Sequence, residues 1–494
     1  MSSTRSEPGA SDGRVAVDPA VAGRFRHGPP VPRDAARDAA LGRRILLFAA
    51  VILSSAAAGA ALVRFPPHLA IGVVGALVAG AAVLVRPFWG LLLYTAIFLV
   101  RPAELYPPLA ALHLERLVGG LTLAAMLLAQ YQREGRILID RSRQTTLLLV
   151  FLLAVLLSVP FAYWRAGALN GFFEMVKLAI FYVLIVHLID TRRKLRAFIW
   201  VFGLLTVYIS ATAFVDFQRG GAFFAQGIER AVGETSVANN PNQLGTTMAV
   251  AVPFFLLLAL YRPFGGWRLF FVLGAPLLLA TMAVTGSRAS LLGFLGGTLY
   301  LWWTSRRRIL LGALGLLLLV AGFAALPEQY RARYSTIAQE QLDGSSQARL
   351  ATWMTGVKMV IDRPVFGVGV RCFGTARAAD YSSPERRNWL ESHSLYLQVL
   401  AELGLVGGIL FYLLLFEFLR LNRRAARLVA GGGERWRFEA LLLKALFAGF
   451  VVLMIAGIFG HSLLRHTWYV YAALGACVQR LRQGEIDAAA PAGK

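Results

Sequence analysis

Cysteine and acidic residues are both scarce in this chain of 494 residues. Only two cysteines are present, Cys372 and Cys477, and 27 Asp and Glu residues stand against 50 Lys and Arg. Cysteines so far apart provide neither a disulfide framework nor the CxxC pairs of a zinc site, and we expect them to stay unpaired. The chain also lacks a Walker loop, a GxGxxG in a strand context and an HExxH motif, which argues against P-loop nucleotide binding, dinucleotide chemistry and zinc proteolysis.

Apolar residues, by contrast, are abundant. Hydrophobic side chains make up 57% of the sequence and charged ones 16%, and the mean hydropathy is +0.60. Apolar runs long enough to cross a bilayer recur along almost the whole chain, so the sequence predicts an all-α polytopic transmembrane helical bundle of about 12–14 spans. The first span is Ile45–Val63. Phe88–Val100 and Thr467–Val478 are short for the hydrocarbon core.

Basic residues in the loops set the expected orientation. A net charge of +23 would suggest a nucleic-acid partner in a soluble protein, but Lys and Arg in alternate short loops of a membrane protein mark the cytoplasmic side, so we expect no nucleic-acid partner. Both termini are then cytoplasmic, and the two longest internal loops lie outside. The chain divides into a disordered cytosolic tail (1–44), a transmembrane bundle (45–326), an outer loop (327–394), C-terminal transmembrane helices (395–482) and a cytosolic tail (483–494).

The outer loop 327–394 contains many arginines that membrane orientation does not explain. Ionisable groups at a membrane edge are expensive enough to suggest function, and we assign Arg349 and Arg371 to substrate binding. Apolar residues at helical spacing over Gln347–Ile361 predict an amphipathic helix against the membrane surface. The sequence DRPVFGVG that follows predicts a helix end and a tight turn, because it combines proline with two glycines.

His393 ends this loop, at the point where the chain re-enters the membrane. Histidine titrates near neutrality, so it is the best candidate for a general base. A single histidine is more often structural than catalytic, but its position beside the arginines favours catalysis. His461 and His466, also outside, compete for the role, whereas we expect His113 and His187 to be structural.

Two shorter outer segments supply the remaining candidates. Arg288 lies in the very short turn TGSRAS, where it either anchors the helix at the bilayer edge or clamps a phosphate through its planar fork of donors. Arg219 is a second candidate for the same task. The polar cluster ANNPNQ that follows contains Asn239 and Asn242, which either cap a helix or bind sugar hydroxyls.

The order of these motifs resembles the O-antigen ligase and polymerase superfamily of bacterial envelope glycosyltransferases. The resemblance is strongest from about Asn170 to Gly408, and the histidine before an LxxLxExGxxG helix is its most specific part. In this chain Ser394 follows His393, where many members have asparagine. The matching segments are ANNPNQLG (238–245), TGSRAS (285–290), Arg349 with residues 351–353, DRPVFGVG (362–369) and SHSLYLQVLAELGLVGG (392–408).

The resemblance implies a glycan donor carried on undecaprenyl diphosphate, an acceptor on a lipid A core or on another glycan, and a multi-pass bacterial inner membrane protein surrounded by membrane lipids. It also implies catalysis on the periplasmic side without cofactor or metal. Arg288 then matches the arginine of the short outer turn, Arg219 a second arginine, and His393 the general base of an inverting transfer. Ligase and polymerase differ in acceptor, and the sequence does not separate them.

Two other classes of function stay open. A transporter of a small anion such as bicarbonate would also use arginines, but it should place charged groups in broken helices near the bilayer midplane. Here most of the unusual charge is expected at the outer edge, which favours chemistry on a lipid head group. A structural scaffold would leave the outer arginines without a function.

Overall fold

The computed structural model describes residues 67–236, 238–335, 344–382 and 389–489. The predicted N-terminal tail, the span Ile45–Val63 and the last five residues therefore lie outside the described part of the chain. The described helices are α1 (Pro67–Val85), α2 (Pro87–Val100), α3 (Leu114–Glu134), α4 (Arg143–Ser158), α5 (Arg165–Leu188), α6 (Arg192–Gln218), α7 (Pro241–Leu258), α8 (Arg268–Val284), α9 (Arg288–Trp303), α10 (Arg308–Ala325), α11 (Glu328–Ser335), α12 (Gly344–Asp362), α13 (Phe373–Asp380), α14 (Leu395–Ala430), α15 (Arg437–Ile458) and α16 (His466–Ala489).

The all-α membrane class is confirmed. Within the described residues, α3 to α8, α14 and α15 are the eight helices long and apolar enough to cross a membrane, and α1, α2 and part of α10 are shorter apolar helices. The two short predicted spans, Phe88–Val100 and Thr467–Val478, lie within α2 and α16. The last helix, α16, continues to Ala489, past the boundary that the sequence predicts at residue 482.

Helices α7, α9 and α15 form the centre of the bundle near the candidate site, and glycine lets them approach closely. A Cβ atom on Gly293 of α9 would lie 2.9 Å from the carbonyl oxygen of Val452 in α15, and one on Gly449 would lie 3.2 Å from Val250 of α7. Small residues allow this backbone approach in membrane helices. The starts of α7 and α9 and the end of α15 are thereby fixed beside one another.

The DRPVFGVG segment packs beside a break in α14. Gly404 has a φ of 63°, outside the helical region, although helix continues on both sides. Backbone groups freed by the break bind the segment: the Val368 N–H donates to Ala401 O at 2.8 Å, and the Leu405 N–H donates to Pro364 O at 2.7 Å. Gly367 and Gly369 also have positive φ, so the predicted tight turn is confirmed, and its function in the structure is to support α14.

The only two strands in the described chain, β1 (Phe223–Ala225) and β2 (Ile228–Arg230), form an antiparallel hairpin before α7. Helix α11 packs on it through Tyr330, whose hydroxyl donates to Glu229 O at 2.7 Å. Tyr330 and Tyr334 bury Ile228 between them. This packing fixes Arg230, the last residue of β2, next to the turn between α8 and α9.

Helix α12 confirms the predicted amphipathic helix within one to three residues at each end. Its Thr352 and Met359 are buried, and α12 packs on α14. The face predicted to be apolar carries Leu350, Met354 and Val357, which are all exposed. An exposed apolar stripe on a helix that otherwise packs on the bundle is the arrangement expected against a membrane surface.

Candidate active site

A cavity at one end of the bundle contains the predicted histidine. Its walls come from the starts of α7 and α9, the segment just before α14, and the end of α15 with the loop that follows it. It is lined by Asn240, Asn242, Gln243, Thr246, Ala289, His393, Leu453, Ala456, Gly457, Phe459, Gly460, His461, Ser462 and Arg465. Four chain segments far apart in sequence therefore meet at one polar opening.

His393 is held in an unusual backbone conformation. Its φ is 49°, which costs free energy for a residue with a Cβ and is found more often at functional sites than elsewhere. The Ser392 hydroxyl donates to Ser394 O at 2.9 Å, and Thr352 of α12 donates to Ser392 O at 3.0 Å. These bonds fix the backbone on both sides of His393, so the imidazole has a defined position at the cavity wall.

The surroundings of His393 keep its imidazole neutral. Burial, followed by the charges of His461, Arg349 and Arg377, lowers the pKa of His393 to about 4. A histidine with an ordinary pKa would be partly protonated near neutrality. At neutral pH His393 is therefore a free base with an available lone pair.

A second histidine shares the cavity. The ring centroids of His461 and His393 lie 5.6 Å apart, and burial together with Arg465 lowers the pKa of His461 below its ordinary value. His466 behaves differently: it begins α16, is buried, and packs edge-on against Phe98 with centroids 5.7 Å apart. Of the two competing histidines, only His461 lines the site.

Arg230 is a buried arginine that contacts the cavity wall at the start of α7. It is 4% exposed, and its guanidinium donates to Asn242 Oδ1 at 2.9 Å and to Thr285 O at 2.7 Å. Both acceptors are neutral. Burial, and then the positive charges of Arg333, Arg349 and Arg288, lower the pKa of Arg230 to about 10. These four arginines, which we call the cationic cluster, therefore act on one another electrostatically.

The other members of the cationic cluster are held by the same elements. Arg288 is 9% exposed and is the first residue of α9, next to the Ser287 side chain that caps this helix. Arg333 of α11 donates from Nε to Gly286 O at 2.6 Å. Arg349 of α12 lies 5.9 Å from the ring of Phe459, a residue that lines the cavity. Three members of the cluster therefore adjoin residues that line the cavity: Arg230 at Asn242, Arg288 at the following residue Ala289, and Arg349 at Phe459.

The sequence-predicted residues divide into two groups. His393, Arg288, Arg349 and Asn242 lie at the cavity or in the cationic cluster. Arg219 is exposed at the end of α6, and Asn239 and Arg371 are also exposed; none of the three lines the cavity. The binding functions assigned to these three stay predictions without a contact to support them.

Two contacts near the cavity stabilise the fold: a helix cap and a close approach of two helices. The Asn240 side chain caps α7 by accepting from the Asn242 N–H at 2.9 Å, which fits the capping interpretation of this polar segment. A Cβ on Gly245 would lie 2.6 Å from Thr285 Oγ1 and 2.8 Å from Ser290 Oγ. The motifs ANNPNQLG and TGSRAS therefore pack against each other where α7 meets the start of α9.

Acidic residues are sparse around this site. Burial raises the pKa of Glu391, and Arg371 beside it acts in the opposite direction. Among the described residues, no group of three or more His, Cys, Asp or Glu side chains is arranged to hold a metal ion. Cys372 and Cys477 are both buried and unpaired, as expected. The described charge at the cavity is therefore mainly positive, which favours an anionic ligand.

Comparison with known proteins finds a family model that matches part of the chain. The family model described as O-Antigen ligase matches residues 273–412. Over this range the chain is similar to O-antigen ligases, which supports the predicted resemblance to the O-antigen ligase and polymerase superfamily. The matched range contains Arg288, Arg349 and His393 and ends before His461. No curated protein matches the chain.

The match supports a general function for this chain. It is a multi-pass membrane protein with a role in glycan transfer at the membrane, as a glycosyltransferase-like ligase or polymerase. In the matched family the substrates are in general lipid-linked glycans, with a lipid A core as acceptor. The match supports the predicted resemblance and gives the arrangement of the cavity a chemical context.

Proposed function

We propose that the protein is an inverting transferase that moves a glycan from undecaprenyl diphosphate to an acceptor hydroxyl at the periplasmic membrane face. One observation carries the proposal: a neutral histidine lines a cavity, and arginines of the cationic cluster contact residues of the same cavity wall, Arg230 at Asn242 and Arg349 at Phe459. A diphosphate needs positive charge and bidentate donors, and an attacking hydroxyl needs a base.

The cationic cluster binds the donor diphosphate. Arg230 and Arg288 are buried, so little conformational entropy is lost when they engage the ligand. Charge that builds up on the departing diphosphate is stabilised by guanidinium groups already in place, an electrostatic effect that is usually the largest in such reactions.

His393 Nε2 or Nδ1 accepts the proton of the acceptor hydroxyl. The acceptor oxygen forms a bond to the anomeric carbon of the donor sugar, and the bond from that carbon to the diphosphate oxygen breaks. Its electron pair leaves with undecaprenyl diphosphate. A single displacement of this kind inverts the anomeric centre, and the proton on His393 then passes to solvent.

The proposed reaction does not depend on a divalent ion, because arginine supplies the charge that a metal supplies in many phosphoryl sites. The test is transfer by the purified protein with a lipid-linked donor and acceptor in the presence of a chelator. Transfer at the rate seen without chelator supports the proposal. Loss on chelation, restored by a divalent ion, would overturn metal independence.

The acceptor is tested in a strain without the gene. Full-length polymer that stays on its lipid carrier indicates a ligase, and single unpolymerised repeats indicate a polymerase. An unchanged surface glycan would reject both. The anion-transport alternative finds less support, because the cationic cluster borders a cavity at one end of the bundle rather than at mid-helix positions.

The proposed orientation places the cavity in the periplasm of a bacterial inner membrane protein with cytoplasmic termini. Phe224 and Trp267 are 70% and 75% exposed and lie in loops assigned to opposite sides. In a background without Cys372 and Cys477, Phe224→Cys should react with an impermeant thiol reagent in intact cells, and Trp267→Cys only after lysis. The reverse pattern would contradict the orientation.

A further inference from the structure

The loop between α15 and α16, residues 459–465, contains polar atoms that nothing in the described protein satisfies. His461 Nδ1 and Ser462 Oγ are both shielded from solvent and have no hydrogen-bond partner among the described residues. Both residues line the cavity. A buried polar atom without a partner loses the free energy of its hydration, so two neighbouring ones in a cavity wall indicate a ligand that completes them.

Hydrogen bonds attach this loop to two helices, although these two side chains are unpaired. Arg465 donates to Thr247 Oγ1 at 3.1 Å and to Gln243 O at 3.2 Å, which ties the loop to α7. Trp468 Nε1 donates to Ser462 O at 3.1 Å from α16. The open atoms therefore belong to a well-supported element, and a ligand would meet them already in position.

The position of the loop decides which part of the substrate it meets. The cationic cluster adjoins the cavity at Asn242, which accepts from Arg230, and at Ala289, which follows Arg288. The α15–α16 loop lines the same cavity through His461 and Ser462. His393 lies with its ring centroid 5.6 Å from that of His461. A hydroxyl that gives its proton to His393 is thus within reach of His461 and Ser462.

We propose that the α15–α16 loop is the acceptor-sugar subsite, with His461 and Ser462 binding hydroxyls of the acceptor glycan so that one of them faces His393. The inference rests on the proposed transfer reaction. Imidazole and hydroxyl groups both donate and accept hydrogen bonds, which suits sugar hydroxyls. His461 and Ser462 are positioning residues in this scheme, and His393 remains the base.

The test separates acceptor binding from donor binding in the purified protein. His461→Ala and Ser462→Ala should each raise the KM for the acceptor about tenfold at saturating donor, because each removes one hydrogen bond to the substrate. The KM for the donor should stay unchanged. Arg230→Lys should show the opposite pattern, since it lies on the diphosphate side.

A conservative variant and a distant control exclude a loss of structure. His461→Asn keeps a polar atom near the position of Nδ1. Its KM for the acceptor should therefore lie between that of His461→Ala and that of the native protein. His113→Asn changes an exposed histidine away from the cavity and should leave both KM values at their native level. Asparagine also tolerates the positive φ of residue 113.

Two results would overturn the inference, and a third concerns the reaction itself. If His461→Ala lowers kcat as much as His393→Ala while the acceptor KM stays native, His461 is a base and the subsite is wrong. If both KM values rise together in His461→Ala and Ser462→Ala, the loop has only a structural function. If the native protein transfers no glycan with any donor and acceptor pair, the proposed function fails before the subsite is reached.

Discussion

Arginines at the two ends of α15 have opposite environments. Near its start, Arg192 donates to Glu439 Oε1 at 2.7 Å, Glu439 is fully buried, and the guanidinium stacks 4.4 Å from the ring of Trp436. Beyond its end, Arg230 and Arg465 donate to neutral oxygens of amide, hydroxyl and carbonyl groups. A helix of this length is about 33 Å long, so the two sites do not influence each other directly.

The difference separates arginines that stabilise the fold from those that bind a ligand. A guanidinium paired with a buried carboxylate has its charge neutralised within the protein. A buried guanidinium that meets only neutral acceptors keeps its charge, and that charge attracts an anion. Other arginines on the side of Arg192 are also paired with carboxylates. Arg143 and Arg420 share the buried Glu417, whereas Arg437 with Glu434 and Arg435 and Arg482 with Glu485 form pairs that are more exposed.

The largest expected effect is on the rate of transfer by His393→Ala. Removing a positioned general base typically costs about 10²–10⁴-fold in rate. The variant should insert and melt like the native protein, because His393 is only partly buried and its backbone is held by Ser392. Single-turnover transfer with purified protein measures the loss.

Donor binding provides the internal control for that variant. Because the cationic cluster binds the diphosphate, the Kd for the lipid-linked donor should change little in His393→Ala. A drop in melting temperature that matches the loss of activity would show instead that His393 serves the fold.

At the start of α15, where Arg192 is paired with Glu439, the expected effect is on stability. Arg192→Ala leaves Glu439 buried without its partner, and breaking a buried pair costs about 3–5 kcal/mol. Arg192 is 22% exposed, so we expect about 3 kcal/mol, the low end of that range. Thermal unfolding in detergent measures the loss, and the transfer rate per folded molecule should stay native. A native melting curve together with lost activity would reverse the comparison.

At the cationic cluster, exchange of arginine for lysine should lower transfer activity rather than stability, and the effect is expected to be smaller. Arg288→Lys keeps the charge but replaces a bidentate fork with a point charge. The loss of one charge-assisted hydrogen bond is worth about 1.5–3 kcal/mol, or about ten- to 150-fold in the ratio of kcat to the donor KM. Arg288→Ala should lose more. Arg192→Lys is the matched control and should transfer glycan at the native rate; native activity of Arg288→Lys would show that Arg288 is only a membrane anchor.

Much of the architecture could be predicted because it depends on local patterns. Apolar runs gave the helices, and the spacing over Gln347–Ile361 gave α12. The proline and glycines of DRPVFGVG gave the turn, since they restrict the backbone wherever they occur. Arg288 and His393 were found because each lies in a short segment of distinctive sequence at a helix end.

The rest of the site depends on contacts between distant segments, which local patterns do not contain. Arg219 and Arg230 are eleven residues apart by their numbering, and both looked like loop arginines. A two-strand hairpin, turning at Gln226 and Gly227, buries the second and leaves the first exposed. His461 joins His393 only because α15 packs where α14 begins. The glycine at residue 227 between aromatic and apolar residues was the one available signal for the hairpin.

The smallest expected effect concerns pH and tests the electrostatic half of the comparison. A base must be neutral, so activity is present above the pKa of His393 and is lost as the pH falls through it. That pKa is lowered to about 4 by burial and by His461, Arg349 and Arg377. For an unperturbed histidine, the fraction in the neutral form would fall about tenfold between neutrality and about pH 5.5. We therefore expect kcat/KM of the free enzyme to change less than about twofold over that interval.

Arg349→Gln removes one of the charges that lower the pKa of His393. The fall of its activity at acid pH, the acid limb, should therefore shift toward higher pH. Arg192→Gln, which changes the arginine paired with Glu439, should leave the acid limb unmoved. An acid limb centred near the ordinary histidine value in the native protein would mean that the cavity does not hold His393 neutral by this mechanism.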